Sequence, residues 1–349
     1  LSAKYRLFEL AFRTIAATGA DRALRSWTQG RGAILTLHQV RPWRPRGFAP
    51  NRMLEVTPEF LDLTITRARQ AGFVFVRLDE VLDRLRDETS EPFLCLTFDD
   101  GYRDTLEHAL PVLRRHGTPA TVFLTPGFIE RTAPLWWLDL EEALRRADNV
   151  EANLGEGGHL LSCADDAARS AAFATIYRAL RSGPEQRLQE VIGGLARRSG
   201  VDSAGVAAEQ CLDWAGVKQL AAEPLIDIGA HTMTHPMLAK HTLSDAQREL
   251  EQSRSVLAER LGRKVRHVAY PVGDAASAGA REFRLAGDLG FETGVTTRPG
   301  MLFPAHAGHP MALPRLSLNG CFQTARHLDI LLAGLPSLLW NRGRRLSVA

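Results

Sequence analysis

An α/β fold, a distorted parallel (β/α) barrel with a helical insertion between its fourth and fifth strands, is the architecture that this sequence predicts. Three observations predict it. Short apolar runs alternate with helical patterns and give eight strand candidates, the rhythm of parallel strands joined by crossover helices. The residues best suited to chemistry, His38, Asp99, Asp100, His231 and His235, fall just past the carboxyl ends of such runs, where barrels of this kind carry their sites. The rhythm fails once, over about residues 129–212, where helical patterns follow one another without a strand between them.

Residues 1–30 read as an amphipathic helical segment. Leu7, Leu10, Ala11 and Ile15 recur at the three-and-four spacing of one helix face, which predicts a helix packed on the rest of the chain, with membrane contact as the competing reading. Charges from Lys4 to Arg25 interrupt every apolar run, so the stretch lacks the h-region of a signal peptide. Cytoplasm or a membrane periphery is the expected location.

The barrel is expected over residues 31–320. Residues 33–37 form its first strand, ending at His38. A helix then starts at Thr57, a natural N-cap followed by Pro58 at the first helical position, and runs to Gly72. Strands follow at 73–78, 93–98 and 120–124, separated by helices at 79–86 and 103–116, the latter stopped by Gly117. Within the insertion, helices are expected at 138–147, 167–182 and 185–199, and the Trp136-Trp137 pair is a candidate for stacking on sugar rings or for simple burial. Alternation resumes with a helix at 213–222 and a strand at 225–230. The next helix, 244–261, has Ser244 as N-cap and Gln247 completing a capping box. Strands at 265–270, 291–296 and 313–318 complete the eight, and 321–349 reads as a C-terminal helix with a basic tail, Arg342 to Arg345. Its apolar stretch, 331–340, is too short to cross a bilayer and is expected to pack on the barrel, with a membrane interface as the competing reading.

Composition excludes some function classes. A chain of 349 residues with 45% apolar content can bury a large core, and its net charge of +3 comes without a dense basic patch interleaved with aromatics, so nucleic acid is not an expected partner. Cys95, Cys163, Cys211 and Cys321 lie far apart, without the spacing of a zinc ribbon or a redox pair.

The chemistry is concentrated in two stretches. Thr97-Phe98-Asp99-Asp100-Gly101-Tyr102 ends the apolar run Phe93-Leu94-Cys95-Leu96 on adjacent carboxylates. Side chains of a strand alternate in direction, so the two acids can take separate jobs if the backbone turns between them, and Gly101 is expected to supply that turn. Downstream, His231-Thr232-Met233-Thr234-His235 offers two imidazoles four residues apart. With Asp100 they would make a three-ligand site for a divalent ion, zinc being favoured by two imidazoles and one carboxylate.

In these motifs, and in their order, the chain resembles the polysaccharide deacetylases, the carbohydrate esterases built on the NodB homology domain. The resemblance covers roughly residues 31–320 and implies a metal-dependent hydrolase that removes N-acetyl groups from an N-acetylhexosamine-containing polysaccharide or glycolipid. O-deacetylation of an acetylated polysaccharide and a catalytically idle glycan-binding module are the alternatives. It implies Asp99 as general base and the backbone N–H of Val272, in Tyr270-Pro271-Val272-Gly273, as a donor to the oxyanion. Many members keep a His in an L-x-H-like motif on a late strand as general acid. Here Leu35-Thr36-Leu37-His38 matches at the front instead, as in the permuted branch acting on poly-N-acetylglucosamine, since first and last strands are neighbours in a closed barrel. His306 and His309 are the rivals for that role. Where many members carry a base-orienting Arg this chain has Ala269, and Arg315 is the candidate to replace it or else a surface residue. Asp213-Trp214 is not equivalent to the family's late Asp-Trp pair.

Overall fold

The predicted apolar runs appear in a computed structural model as β1 (Gly32–Leu37), β2 (Val74–Phe75), β3 (Phe93–Phe98), β4 (Ala120–Leu124), β5 (Ile226–Ala230), β6 (His267–Ala269), β7 (Thr293–Pro299) and β8 (Leu313–Ser317). The structure describes residues 3–87, 89–155, 157–346 and 348. β1 and β3 are buried at every position, as expected of parallel strands covered on both faces.

Seven of these strands close into a ring in the order β1, β8, β7, β6, β5, β4, β3 and back to β1, each neighbouring pair parallel. The eighth expected strand, at 73–78, is reduced to β2. Val74 and Phe75 pair with Phe93 and Leu94 at the start of β3, while β4 takes Leu96 to Phe98 farther along the same edge. One edge of β3 cannot hold two full-length neighbours, so β2 fills only the wedge that the barrel's twist opens.

Registers bring the ends of the chain together. Leu37 lies opposite Phe98 and Ile34 opposite Arg315, so His38, Asp99 and Arg315 come from three adjacent strands. The connecting helices pack outside. Thr57 caps the helix Pro58–Gln70 by accepting from Phe60 N–H at 3.1 Å. The helix Leu243–Leu261 begins one residue before the expected start, and Thr242, not Ser244, caps it by accepting from Asp245 N–H at 3.2 Å.

The insertion builds a second apolar core. Its helices Trp136–Arg146, Asp166–Ser182, Glu185–Arg198 and Ser203–Gln210 bury side chains together with Phe48, Tyr102, Phe128 and Met237 of the barrel loops. It also contains an antiparallel hairpin, Asn149–Asn153 with Gly158–Ser162, where the sequence suggested only helices. The hairpin's first strand buries alternate residues only, Val150 and Ala152, too weak a pattern to compete with the helical signals around it.

The terminal segments meet. Helix α1 (Ala3–Thr18) packs on α3 (Ala325–Leu332) and α4 (Leu335–Trp340), with α2 (Arg25–Thr28) beneath α4. Ile15 is buried with Ile330 and Leu335, and Phe12 lies 5.4 Å from the Phe322 ring. The face that packs is thus Phe8, Phe12 and Ile15; Leu7 and Leu10, expected on it, point outward at 65% and 61% exposure. No described helix is long and apolar enough to cross a membrane. All four cysteines are free thiols.

Candidate active site

The site is assembled from turns held in unusual backbone conformations. After β3 the chain reverses at Asp100 and Gly101, both at φ 72°. The turn therefore starts one residue earlier than expected, on an acid, the residue class besides Asn that best tolerates the left-handed region. A Cβ on Gly101 would lie 2.7 Å from the Leu124 side chain. The consequence is that the two carboxylates diverge.

Asp100 faces the two imidazoles. His231 follows β5, and its backbone N–H donates to Leu124 O at 2.9 Å. Its Nδ1 lies 2.7 Å from Ala269 O, which makes Nδ1 the protonated nitrogen and leaves Nε2 with its lone pair toward Asp100. His235 arrives by a tight loop, not a helical turn. Thr232 at φ 63° and His235 at φ 65° bend it, and Thr232 Oγ1 accepts from His235 N–H at 3.0 Å. Glu249 braces the loop from outside, accepting from Thr234 N–H at 2.8 Å and Thr234 Oγ1 at 2.7 Å.

Both imidazole Nε2 atoms stand 3.4 Å from Asp100 Oδ1, and one ligand atom from each of the three residues lies within 4.8 Å of the others. Asp100 Oδ1 is buried with no hydrogen-bond partner among the described residues. Most buried carboxylate oxygens in stable proteins are satisfied, and an exception calls for an explanation. Three donors converging on a point that no proton fills are the donor set of a divalent cation, so these residues fit one.

Asp99 turns the other way. Arg315, fully buried, grips it with two bonds, Nη1 to Oδ1 at 2.8 Å and Nη2 to Oδ2 at 2.7 Å. Arg315 is itself fixed by Thr296 O at 2.9 Å and Thr97 Oγ1 at 3.1 Å, and Thr36 Oγ1 lies 3.4 Å from Asp99 Oδ2. The surface alternative for Arg315 is thereby overturned. Burial raises the Asp99 carboxyl, and the charges of Arg315 and His231 bring it net below its ordinary value. The carboxylate is ionised.

His38 stands at the end of β1, partly buried. It is near enough to Asp100, Asp99, Arg315 and His231 for each to act on its charge, and burial leaves its imidazole easier to deprotonate than usual. His306 and His309 lie elsewhere. They belong to the turn that follows Leu302, which bridges Gly32 at the amino end of β1, so neither shares the mouth. Val272 adopts φ 59°, a costly conformation for a β-branched residue. Its carbonyl accepts from Thr297 Oγ1 at 2.6 Å, and its N–H donates to no other group among the described residues.

The insertion, together with Phe128 of the loop after β4, supplies a wall that the sequence does not announce. The Trp137 and Phe128 rings lie 5.0 Å and 5.5 Å from the His235 ring, and Trp137 Nε1 donates to Tyr102 OH at 3.0 Å. Trp136 and Trp137 are buried, so neither offers an open face to a sugar. Adjacent aromatics at a helix start were the only available signal. Asp213 caps the helix Trp214–Ala221 through Gly216 N–H at 2.8 Å and takes no part in the site.

Known proteins resemble this chain in family and in fold. The family model described as polysaccharide deacetylase matches residues 86–293. No curated protein matches the chain. Among solved structures, the deacetylase PplD of Streptococcus pyogenes, in complex with acetate, is 18% identical, with 82% of this chain and 92% of that one covered at a TM-score of 0.54. IcaB from Ammonifex degensii is 17% identical, with 86% and 95% covered at 0.54. A de-N-acetylase from Aggregatibacter actinomycetemcomitans is 12% identical, with 86% and 99% covered at 0.53. These likenesses speak to the fold, whereas the family match spans more than half of the sequence and contains Asp99, Asp100, His231, His235 and Val272. The chain belongs to the polysaccharide deacetylase family.

Proposed function

We propose that the protein is a metal-dependent de-N-acetylase that hydrolyses the acetamido group of an N-acetylhexosamine-containing polysaccharide or glycolipid. The observation that carries this reading is the separation of the two carboxylates: Asp100 faces the imidazoles, while Asp99 is held in the same mouth by Arg315 at 2.7 Å and 2.8 Å. A module that only bound glycan would have no use for an ionised, oriented acid beside a ligand cluster.

Asp100, His231 and His235 would hold the ion, with zinc best matched to their donors. When bound, such an ion supplies a Lewis acid that acidifies water and polarises the acetyl carbonyl. Asp99 takes the proton from the attacking water, its orientation fixed by Arg315. The N–H of Val272 would donate to the oxyanion as negative charge develops there. His38 delivers a proton to the departing amine, a step that an amide needs more than an ester does because the amine is the poorer leaving group. That role places the acid at the front of the chain, the arrangement of the permuted branch.

The test is product analysis by mass spectrometry. The zinc-loaded protein is incubated with N-acetylglucosamine oligomers and with O-acetylated xylan oligomers, beside a chelator-treated control. Acetyl loss from the N-acetyl substrates alone, abolished by chelation and much reduced in His38→Ala, is expected. Acetyl loss confined to the O-acetyl substrates would establish the esterase, and no loss from any substrate in zinc-replete protein would leave a binding module.

A further inference from the structure

The layer formed by α1, α2, α3 and α4 carries a surface that neither the core nor the mouth uses. Of the ten large hydrophobic side chains that are exposed among the described residues, six belong to it: Leu7, Leu10, Leu24, Trp27, Leu339 and Trp340. They are linked through the packing beneath them. The Phe8 ring lies 5.6 Å from that of Trp340, joining α1 to α4, and α4 packs on α2, which carries Trp27.

The same layer is basic. Residues 1–30 and 321–349 contain nine Lys or Arg against three Asp or Glu, whereas the whole chain is only +3, so the remainder is net negative. Arg342, Arg344 and Arg345 follow Trp340 and are exposed, with the Arg345 guanidinium 4.8 Å from the Trp27 ring. A cavity of about 270 Å³ in the same layer is lined by Arg22, Arg25, Arg67 and Arg326 together with Asp21 and Asp329. Arg67 is paired with Asp329 and Arg326 with Asp21; Arg22 and Arg25 pair with no carboxylate among the described residues.

We infer that this face docks on an anionic lipid bilayer, lying in the interface without crossing it. Exposed Leu and Trp side chains would enter the headgroup boundary while guanidiniums meet lipid phosphates, the two contributions that together hold a peripheral protein. Charge selects this occupant over a second copy of the chain. Two copies meeting by this face would bring basic surface against basic surface, because a two-fold contact pairs a patch with itself. No described helix can span.

The test is co-sedimentation of the whole chain with phosphatidylcholine vesicles and with mixed phosphatidylglycerol–phosphatidylcholine vesicles. Binding to the mixed vesicles alone is expected, weakening with salt and falling about fivefold for each of Arg342→Gln and Arg344→Gln. Leu7→Ser with Leu10→Ser should abolish it while circular dichroism and metal content stay unchanged. Brominated acyl chains should quench tryptophan fluorescence in the bound protein, and Trp27→Phe with Trp340→Phe should remove most of that quenching. Equal binding to both vesicle types, or no binding to either, would overturn the proposal. So would binding of inorganic phosphate in the arginine cavity without sedimentation, or a dimer in analytical ultracentrifugation that the Leu7 and Leu10 substitutions dissolve.

Discussion

Asp100, His231 and His235 come from two short motifs inside the matched stretch 86–293, whereas two of the groups around Asp99, Thr36 and Arg315, lie outside it, as does His38. The first group is made by loops: three residues of it or beside it, Asp100, Thr232 and His235, sit at positive φ, and the cluster needs only the neighbouring strands β3 to β6 to be in place. The second is made by closure, since Arg315 reaches Asp99 because β8 pairs with β1 and β1 with β3. Local turns can be carried by a motif. Partners brought together by closing a ring have no fixed spacing, so they can move in sequence without moving in space.

The largest loss is expected at the ligand cluster. His235→Ala or Asp100→Asn should lose stoichiometric metal, measured by inductively coupled plasma spectrometry, and activity should fall below detection. Metal content near that of the wild type would refute the cluster as the cation site. Asp99→Asn should separate the two halves, keeping metal while turnover falls about 10²-fold to 10⁴-fold. Loss of metal together with turnover would show that the halves are one unit.

Arg315→Met strands the buried Asp99 carboxylate and should cost about 3–5 kcal/mol in urea unfolding. Adding Asp99→Asn should recover part of that loss, which a purely steric defect at residue 315 would not allow.

A smaller effect tests the seam between the halves. Asp104, four residues after Asp100, accepts from Val40 N–H at 3.1 Å, two residues after His38. Burial pushes its carboxyl up to about 7, against the pull of the Val40 N–H and Arg41, whereas an unfolded Asp titrates near about 3.9. Between those values the folded state holds a proton that the unfolded state has lost. Its contribution to stability is therefore fully present below about pH 4, and it is lost as pH rises to about 7. Asp104→Asn keeps the acceptor and should flatten that slope in urea midpoints measured across the range.

Legibility followed the same division. Thr97-Phe98-Asp99-Asp100-Gly101 and His231 to His235 are contiguous, and each sits at the end of an apolar run, so the residues and the strands bearing them could be read together. The choice between a buried and a surface Arg315 could not be, because only the closed ring decides which strand faces Asp99. The reading of 73–78 as a full strand failed for a related reason: apolarity reports burial, but β4 already occupies the far part of that edge of β3. Trp137 was invisible as a wall of the site because its place depends on how the insertion folds over His235. The outward turn of Leu7 and Leu10 escaped because α1 is apolar on two sides.

Ring closure between β1 and both β3 and β8 has a kinetic meaning. Asp99 and Arg315 are separated by 216 residues in sequence, so their bond forms only after the whole chain has been gathered, among the slowest kinds of contact to make. The ligand cluster is less demanding, and a partly folded chain that has joined β3, β4, β5 and β6 already owns it. During refolding, cation uptake should thus run ahead of catalysis. Recovered turnover becomes a clock for the final seam, the event that a probe of helix content or of bound metal would miss.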